Sequence, residues 1–424
     1  MPHTLLSLNY DVLSSILALI STQDAAQLAL ASRAAYAVAY PRFISNVSLG
    51  GLYHKAGDSA VSQLKSFCNF VLAPAPCWHG APSARLDGLR SLEIMRDAVR
   101  VRKGGMRVVD ASAVALLSAV LQKAHDLQQL TLWGSDALFA AFPDFALGSS
   151  PSMHTLVLGG DIAPLPVLAR AFPHVRNLEF VAGGGSCVPE WAFDAPDANS
   201  EALGPWRKNL ERVDAGFPII PLAVPVRRVD LRNPIVADED SIWCAHTFLA
   251  QTRPVVLSAA VSVPSSAEHL GALLHATVPG LKYLELTGDR CEGLREGFDW
   301  MMRDVSQSLQ HASNLCIHGI ALTVTRATVS PFAPKYQEDA PVARVATPEK
   351  SVDLAALART VAESAPSLRF IAIDLSPAKG ASSAERAWFR VHEPRVGSSR
   401  RVEKISEEEG QAIANKMRAF NRYD

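Results

Sequence analysis

The chain has 424 residues, ample for a sizeable buried core and too long for one ordinary compact domain. Hydrophobic residues make up 48% and charged residues 20%, which describes a globular protein and excludes a disordered one. The formal net charge of -1 favours neither nucleic acid nor an anionic membrane, so neither is an expected partner.

In chain order, the first predicted element is a helix. Val12, Leu13, Ile16, Leu17, Leu19 and Ile20 recur at i, i+4 and i+8 spacings, which gives one helix a wide apolar face. Ser21-Thr22-Gln23-Asp24 breaks it, and Thr22 or Asp24 is placed to cap a second, alanine-rich helix from Ala25 to about Ala39. Pro41 is expected to stop that helix. So few residues bury little surface, and the unit is therefore expected to lean on a neighbour or a partner.

The order Leu8, Val12, Ile16-Leu17, Ile20, Asp24, Leu28, Leu30, Ser32-Arg33, Pro41 resembles the F-box motif, and LALASRAAYAVAYPRF is similar to its fungal form. Asn9 stands where the family has proline and Asp11 where it has glutamate; Asn is itself a good N-cap. The resemblance spans residues 1–48 and implies docking on a Skp-type adaptor and, through it, a cullin ubiquitin ligase. The motif positions Leu8, Val12, Ile16, Leu17, Leu30 and Arg33 are the implied adaptor contacts. An ordinary helical hairpin that caps the rest of the chain is the alternative.

Residues 49–402 carry a weak repeat. The pattern apolar-x-x-apolar-x-apolar recurs at Leu89-Leu92-Ile94, Leu127-Leu130-Leu132, Met153-Leu156-Leu158, Val175-Leu178-Phe180, Leu210-Val213-Ala215, Val226-Val229-Leu231, Leu281-Leu284-Leu286 and Leu368-Ile371-Ile373. Ala312-Leu315-Ile317 is a poorer match, and a further strand is expected near Val255 to Leu257. Proline two residues upstream, as at Pro151, Pro173, Pro279 and Pro366, ends a helix and sets up an extended strand. One strand–helix unit cannot bury both faces, so stacked units with parallel strands and helices outside are predicted. This α/β arrangement resembles an irregular leucine-rich-repeat solenoid. Segments 183–205 and 330–350 read as loop insertions. Ala387 to His392 reads as a strand candidate, and 403–424 as a terminal capping helix, with Glu407-Glu408-Glu409 early and Lys416 and Arg418 late.

No phosphate loop, dinucleotide fingerprint, nucleophile elbow or H-E-x-x-H zinc motif is present, so a non-catalytic protein without cofactor or metal is expected. Cys77-Trp78-His79 and Gly183-Gly184-Gly185 read as loops. Dispersed cysteines, the lack of a signal segment and the lack of a long apolar run point to cytoplasm or nucleus.

The residue between the last two apolar positions of each strand is predicted to face away from the helices. Glu93, Glu179, Asp214, Asp230 and Glu285 occupy such positions, with Trp133 and Tyr283 on the same side, and they form the candidate client-binding face. Arg212 and Arg228 sit two positions before Asp214 and Asp230 and could offset them. Two accounts stand: a face that accepts a basic client segment, or a solvated sheet face with its charges paired locally. The function implied is an F-box substrate receptor; the alternative is a repeat scaffold with no ligase role, and an enzyme built on the same solenoid is a third class.

Overall fold

The computed structural model describes residues 8–51, 58–73, 85–145, 150–181, 203–216, 220–235, 238–263, 267–277, 280–291, 294–312, 314–326, 352–375, 386–393 and 400–421. The expected loop 330–350, most of 183–205, Cys77-Trp78-His79 and Gly183-Gly184-Gly185 lie outside them. The chain divides into two units, 1–210 and 211–424.

The first unit begins with three helices: α1 (Tyr10–Leu19), α2 (Thr22–Ala31) and α3 (Arg33–Phe43). Asn9 caps α1, its side chain accepting from the Asp11 amide at 3.3 Å, so the helix starts without a proline at that position. Ser21, not Thr22 or Asp24, caps α2: its hydroxyl accepts from the Asp24 amide and donates to the Asp24 carboxylate. The single second helix expected over residues 25–39 is two helices. Ser32 adopts extended backbone and its hydroxyl accepts from the Ala35 amide, which ends one helix and starts the next. Pro41 is accommodated within the last turn of α3. Leu13, Leu17, Ala29 and Ala39 form the core of this bundle. Alanines at the crossing allow close approach, and Arg42 ties the α1–α2 turn by donating to the Ile20 carbonyl at 2.8 and 3.0 Å.

The sheet starts earlier than the repeat pattern suggests. Strand β1 (Asn46–Leu49) pairs in parallel with β2 (Ser91–Ile94), then β5 (Gln129–Trp133), β6 (Thr155–Gly159) and β7 (Asn177–Val181) extend the sheet. Each strand neighbours the next in sequence, apart from the separate hairpin of β3 (Arg100–Lys103) and β4 (Met106–Val109), and this sequential parallel pairing is the winding of a solenoid. The register stacks Val47, Leu92, Leu130, Leu156 and Leu178 in one column, and Leu49, Ile94, Leu132, Leu158 and Phe180 in the next. Helices Asp58–Leu72, Ala111–Lys123, Ser135–Ala141, Leu165–Ala171 and Gly204–Asn209 alternate with the strands along the chain. Each fully buried leucine contributes about 1.5–3 kcal/mol. The helical bundle leans on this body as expected: the Tyr40 hydroxyl donates to the Arg85 carbonyl at 2.7 Å and its ring meets Phe70.

The second unit is built the same way. Strands β8 (Arg212–Ala215), β9 (Arg228–Ile235), β10 (Val256–Ser262), β11 (Tyr283–Cys291), β12 (Gly319–Arg326) and β13 (Phe370–Asp374) are parallel and sequential. The predicted strand near Val255 to Leu257 is β10. The frame expected at Ala312-Leu315-Ile317 is displaced: Ile320, Leu322 and Val324 are the buried apolar residues of β12, and Ile317 opens the pattern instead. Among the described residues the short step before β9 holds no helix; Ile220, Leu222, Val224 and Val226 are buried there. Strands β14 (Arg386–Val391) and β15 (Val402–Ile405) then close the sheet in antiparallel pairing, a departure from the all-parallel expectation.

Leu17 and Leu19 separate core from surface on one helix. Leu17→Ala is expected to lower stability by about 2–5 kcal/mol, and Leu19→Ala, at a side chain 88% exposed, to change it by less than about 0.5 kcal/mol. Urea denaturation followed by far-UV circular dichroism measures both.

Candidate functional site

The sequence singles out two surfaces: the outer side of the N-terminal helices and the sheet face turned away from the helices.

On α1 two apolar stripes run side by side, about 100° apart around the helix axis. Leu13 and Leu17 point into the bundle and are buried. Val12, Ile16 and Leu19 fall at i, i+4 and i+7, and Val12 and Leu19 are 49% and 88% exposed while Ile16 is half-buried. Leu8 and Leu30 are 40% and 80% exposed, and Arg33 is exposed as well. Of the six motif positions, Leu17 is therefore a packing residue, not a surface contact: its place on the inner stripe consumes its side chain. Leu19 belongs to the outer stripe and was absent from the motif-derived set. Its signal was the i+7 relation to Val12. A helix with two apolar stripes leaves the second stripe needing a cover that the described residues do not supply.

On the sheet face of the first unit, the register aligns Ser48, Glu93, Thr131, Val157 and Glu179. Glu93 and Glu179 are three strand steps apart, about 14 Å at ordinary strand spacing. Thr131 and Val157 stand between these two carboxylates, so they are not neighbours. The Trp133 indole donates to Glu93 at 3.2 Å, and its ring lies where a side chain on Gly159 would be, 2.5 Å from a Cβ at that position. The bare glycine beside it is what lets the tryptophan lie flat on the face. Glu93, Trp133 and Glu179 are half-buried.

In the second unit the register aligns Asp214, Asp230, Ser258, Glu285, Ala321, Ala372 and Trp388. Here Asp214 and Asp230 are direct neighbours, and arginines compensate them. Arg212 bonds Asp230 at 2.6 Å, Arg228 bonds Asp230 at 2.7 Å and reaches Glu285 at 3.4 Å, and Arg232 bonds Asp214 at 2.6 Å. Asp214 and Asp230 are only 4% and 6% exposed under these guanidiniums. The local-pairing account of these residues is the one the geometry shows, and the basic-client account of Asp214, Asp230 and Glu285 is corrected accordingly.

The terminal helix, Glu407–Arg418, completes that correction. It packs against this same face. Ala414 and Met417 join Val256, Tyr283, Phe370, Ala372 and Trp388 in one apolar cluster. Gly319 leaves room for Met417, whose sulfur would lie 2.1 Å from a Cβ there, and Gly410 brings the helix backbone down onto the Trp388 indole. Arg418 donates to Glu285 at 2.6 Å, and Arg227 donates to the carbonyls of Arg418 and Phe420 at 2.9 and 3.4 Å, satisfying the helix C-terminus. At the other end Ser406 caps the Glu409 amide, and Arg386 and Arg390 meet Glu407 and Glu409. Tyr283, expected as an exposed anchor, is fully buried under this helix, and burial pushes its phenol above the usual range. The signal for the helix's seat was in the sequence: Gly410, Ile413, Ala414 and Met417 form an i, i+3, i+4, i+7 stripe of small and apolar residues.

Among the described residues no group of three or more His, Cys, Asp or Glu side chains could hold a metal ion, and no helix is long and apolar enough to cross a membrane.

Gly410→Ala tests the seating of the helix. In an exposed mid-helix position this change raises stability by roughly 0.5–1 kcal/mol. Here the new methyl meets the indole at 2.3 Å from Cγ, so stability is expected to fall by about 1–3 kcal/mol. A gain in melting temperature would mean that the helix does not lie on Trp388.

No protein-family model and no curated protein matches the chain. Among solved structures, the crystal structure of an internalin from Listeria monocytogenes is similar at 11% sequence identity and a TM-score of 0.22, covering 65% of this chain and 86% of that chain. A likeness at that level bears on neither fold nor function, so the α/β solenoid description rests on the strand pairing itself.

Proposed function

We propose that this protein is a non-catalytic substrate receptor whose F-box-like helices dock on a Skp-type adaptor, and through it a cullin, while the solenoid holds a client. The observation that carries this reading is the outer apolar stripe of α1. Leu8, Val12, Leu19 and Leu30 supply four of the large exposed hydrophobic side chains among the described residues, all on one small bundle. Leaving such side chains in water forgoes about 1.5–3 kcal/mol each, which an apolar partner surface would recover. The sequence order of the motif supports the adaptor as that partner. Such a receptor breaks no bonds; it raises the effective concentration of client beside the transferring enzyme.

For the client, the sheet face of the second unit is occupied by the chain's own terminal helix, which leaves the half-exposed face around Glu93, Trp133 and Glu179 in the first unit as the supported candidate. An exposed rim around an aromatic anchor is what an interface needs. The second reading, a repeat scaffold without ligase role, is favoured by that same face and differs in needing no adaptor.

Co-purification of the full chain with a Skp-type adaptor separates the two. The unmodified chain is expected to retain the adaptor. Leu8→Asp with Leu30→Asp is expected to abolish retention while the circular dichroism spectrum is unchanged, since both side chains are exposed. An unmodified chain that recovers no adaptor would defeat the receptor reading and leave the scaffold.

A further inference from the structure

We propose that the β3–β4 hairpin is a docking edge for an extended acidic segment of another protein, one in which acidic and apolar side chains alternate. This is independent of the adaptor reading.

The hairpin interrupts the winding. After β5 the chain enters the next helix at Ser135, whereas after β2 it makes a 3-10 turn at Arg96–Val99 and the hairpin before the helix at Ala111. Gly104 and Gly105 form its tip with φ of +57° and +82°, both in the left-handed region, as a tight two-residue turn that matches strand twist requires. Arg100 pairs with Val109, Val101 with Val108, Arg102 with Arg107 and Lys103 with Met106. Among the described residues neither strand pairs with a third, so there the outer edges keep their backbone donors and acceptors unladdered.

The base is anchored and the tip is not. Arg100 reaches Asp136 at 3.5 Å, Arg107 bonds Asp97 at 2.8 Å, and Asp110 below the hairpin caps the helix beginning at Ala111 and bonds Lys65 at 3.0 Å. Arg96, just before the hairpin, bonds Asp161 at 2.5 Å. Each of these carboxylates is engaged. Among the described residues, Arg102 and Lys103 make no ion pair, so the tip carries excess positive charge. Cross-strand pairs share a face, so Arg102 and Arg107 form a cationic side and Val101, Val108, Lys103 and Met106 the other. Met106 is 71% and Val108 42% exposed.

These features select the occupant. Like charges at directly opposed positions repel, so a second copy of this edge is a poor partner and the cations guard it against self-pairing. An incoming strand with alternating side chains would place its carboxylates on the side of Arg102, whose charge has no counterpart among the described residues, and its apolar residues beside Val108 and Met106, with main-chain bonds supplied by the free edge. The apolar side and the open edge favour a peptide over a phosphate backbone.

Fluorescence anisotropy on the full chain tests this with a fluorescein-labelled peptide of alternating glutamate and valine. Saturable binding that weakens with salt is expected, and a lysine–valine peptide should not bind. Arg102→Glu with Lys103→Glu, and separately Met106→Ser with Val108→Ser, should each weaken binding by about tenfold or more. All four are surface positions, and an unchanged circular dichroism spectrum checks the fold. No saturable binding by the unmodified chain, or equal binding by either double variant, overturns the proposal. So does binding to vesicles containing phosphatidylserine when the peptide is ignored, which would make the tip a membrane contact.

Discussion

The structure depends on one constraint: a parallel strand with two inward apolar residues cannot be satisfied alone. Leu92 and Ile94 need Leu130 and Leu132 beside them, and those need Leu156 and Leu158. Each added turn buries the column of the last and exposes a new one. Helices cover one side of every column, and the backbone ladder joins neighbouring strands. What the winding cannot provide for itself is a cover for the other face, and the two units meet that need differently. In the first unit, Glu93 and Glu179 are half-buried, Thr131 and Val157 between them are buried, and Trp133 is laid across Gly159. In the second, Val256, Tyr283, Phe370 and Trp388 make it apolar, and the terminal helix supplies the cover.

Much of this was legible because period-two alternation is forced wherever one strand face is buried. Eight of the strand triplets fell in the correct frame for that reason. The misplaced one, at Ala312-Leu315-Ile317, sits where a π-helical turn at Met301–Val305 and a short helix at Ser306–His311 lengthen the approach to β12, so the apolar residues before the strand mimic the strand itself. Strand β1 was missed because Ile44, Val47 and Leu49 come directly after α3 and were absorbed into the helical unit. Ser32 was missed as a helix break because alanines on both sides favour helix, and a single extended serine with its own cap overrides propensity.

The candidate site was less legible than the fold, and the reason is physical. Alternation states which side of a strand a residue occupies, not what lies over it. Asp214, Asp230, Glu285 and Tyr283 were placed on the correct side. Whether that side meets water, a client or another part of the chain depends on contacts from Arg418 and Met417, far away in sequence. The same limit acted on α1 in reverse. The motif treated Leu17 and Val12 alike, whereas helical geometry sends them to different sides, and only the packing of Ala29 and Ala39 reveals which side is inside.

The arginine–carboxylate ladder also bears on what the second unit could bind. Carboxylates as buried as Asp214 and Asp230 lose their hydration, and the ion pairs offset that cost. A basic client segment approaching them would have to displace Arg212, Arg228 or Arg232, exchanging one guanidinium contact for another of similar strength. Such a swap gains almost nothing, and within the chain these charges tie neighbouring strands together, Arg212 of β8 to Asp230 of β9 and Arg232 of β9 to Asp214 of β8. Among the described residues, the exposed apolar side chains of α1 and the cations Arg102 and Lys103 at the hairpin tip have no such internal counterpart.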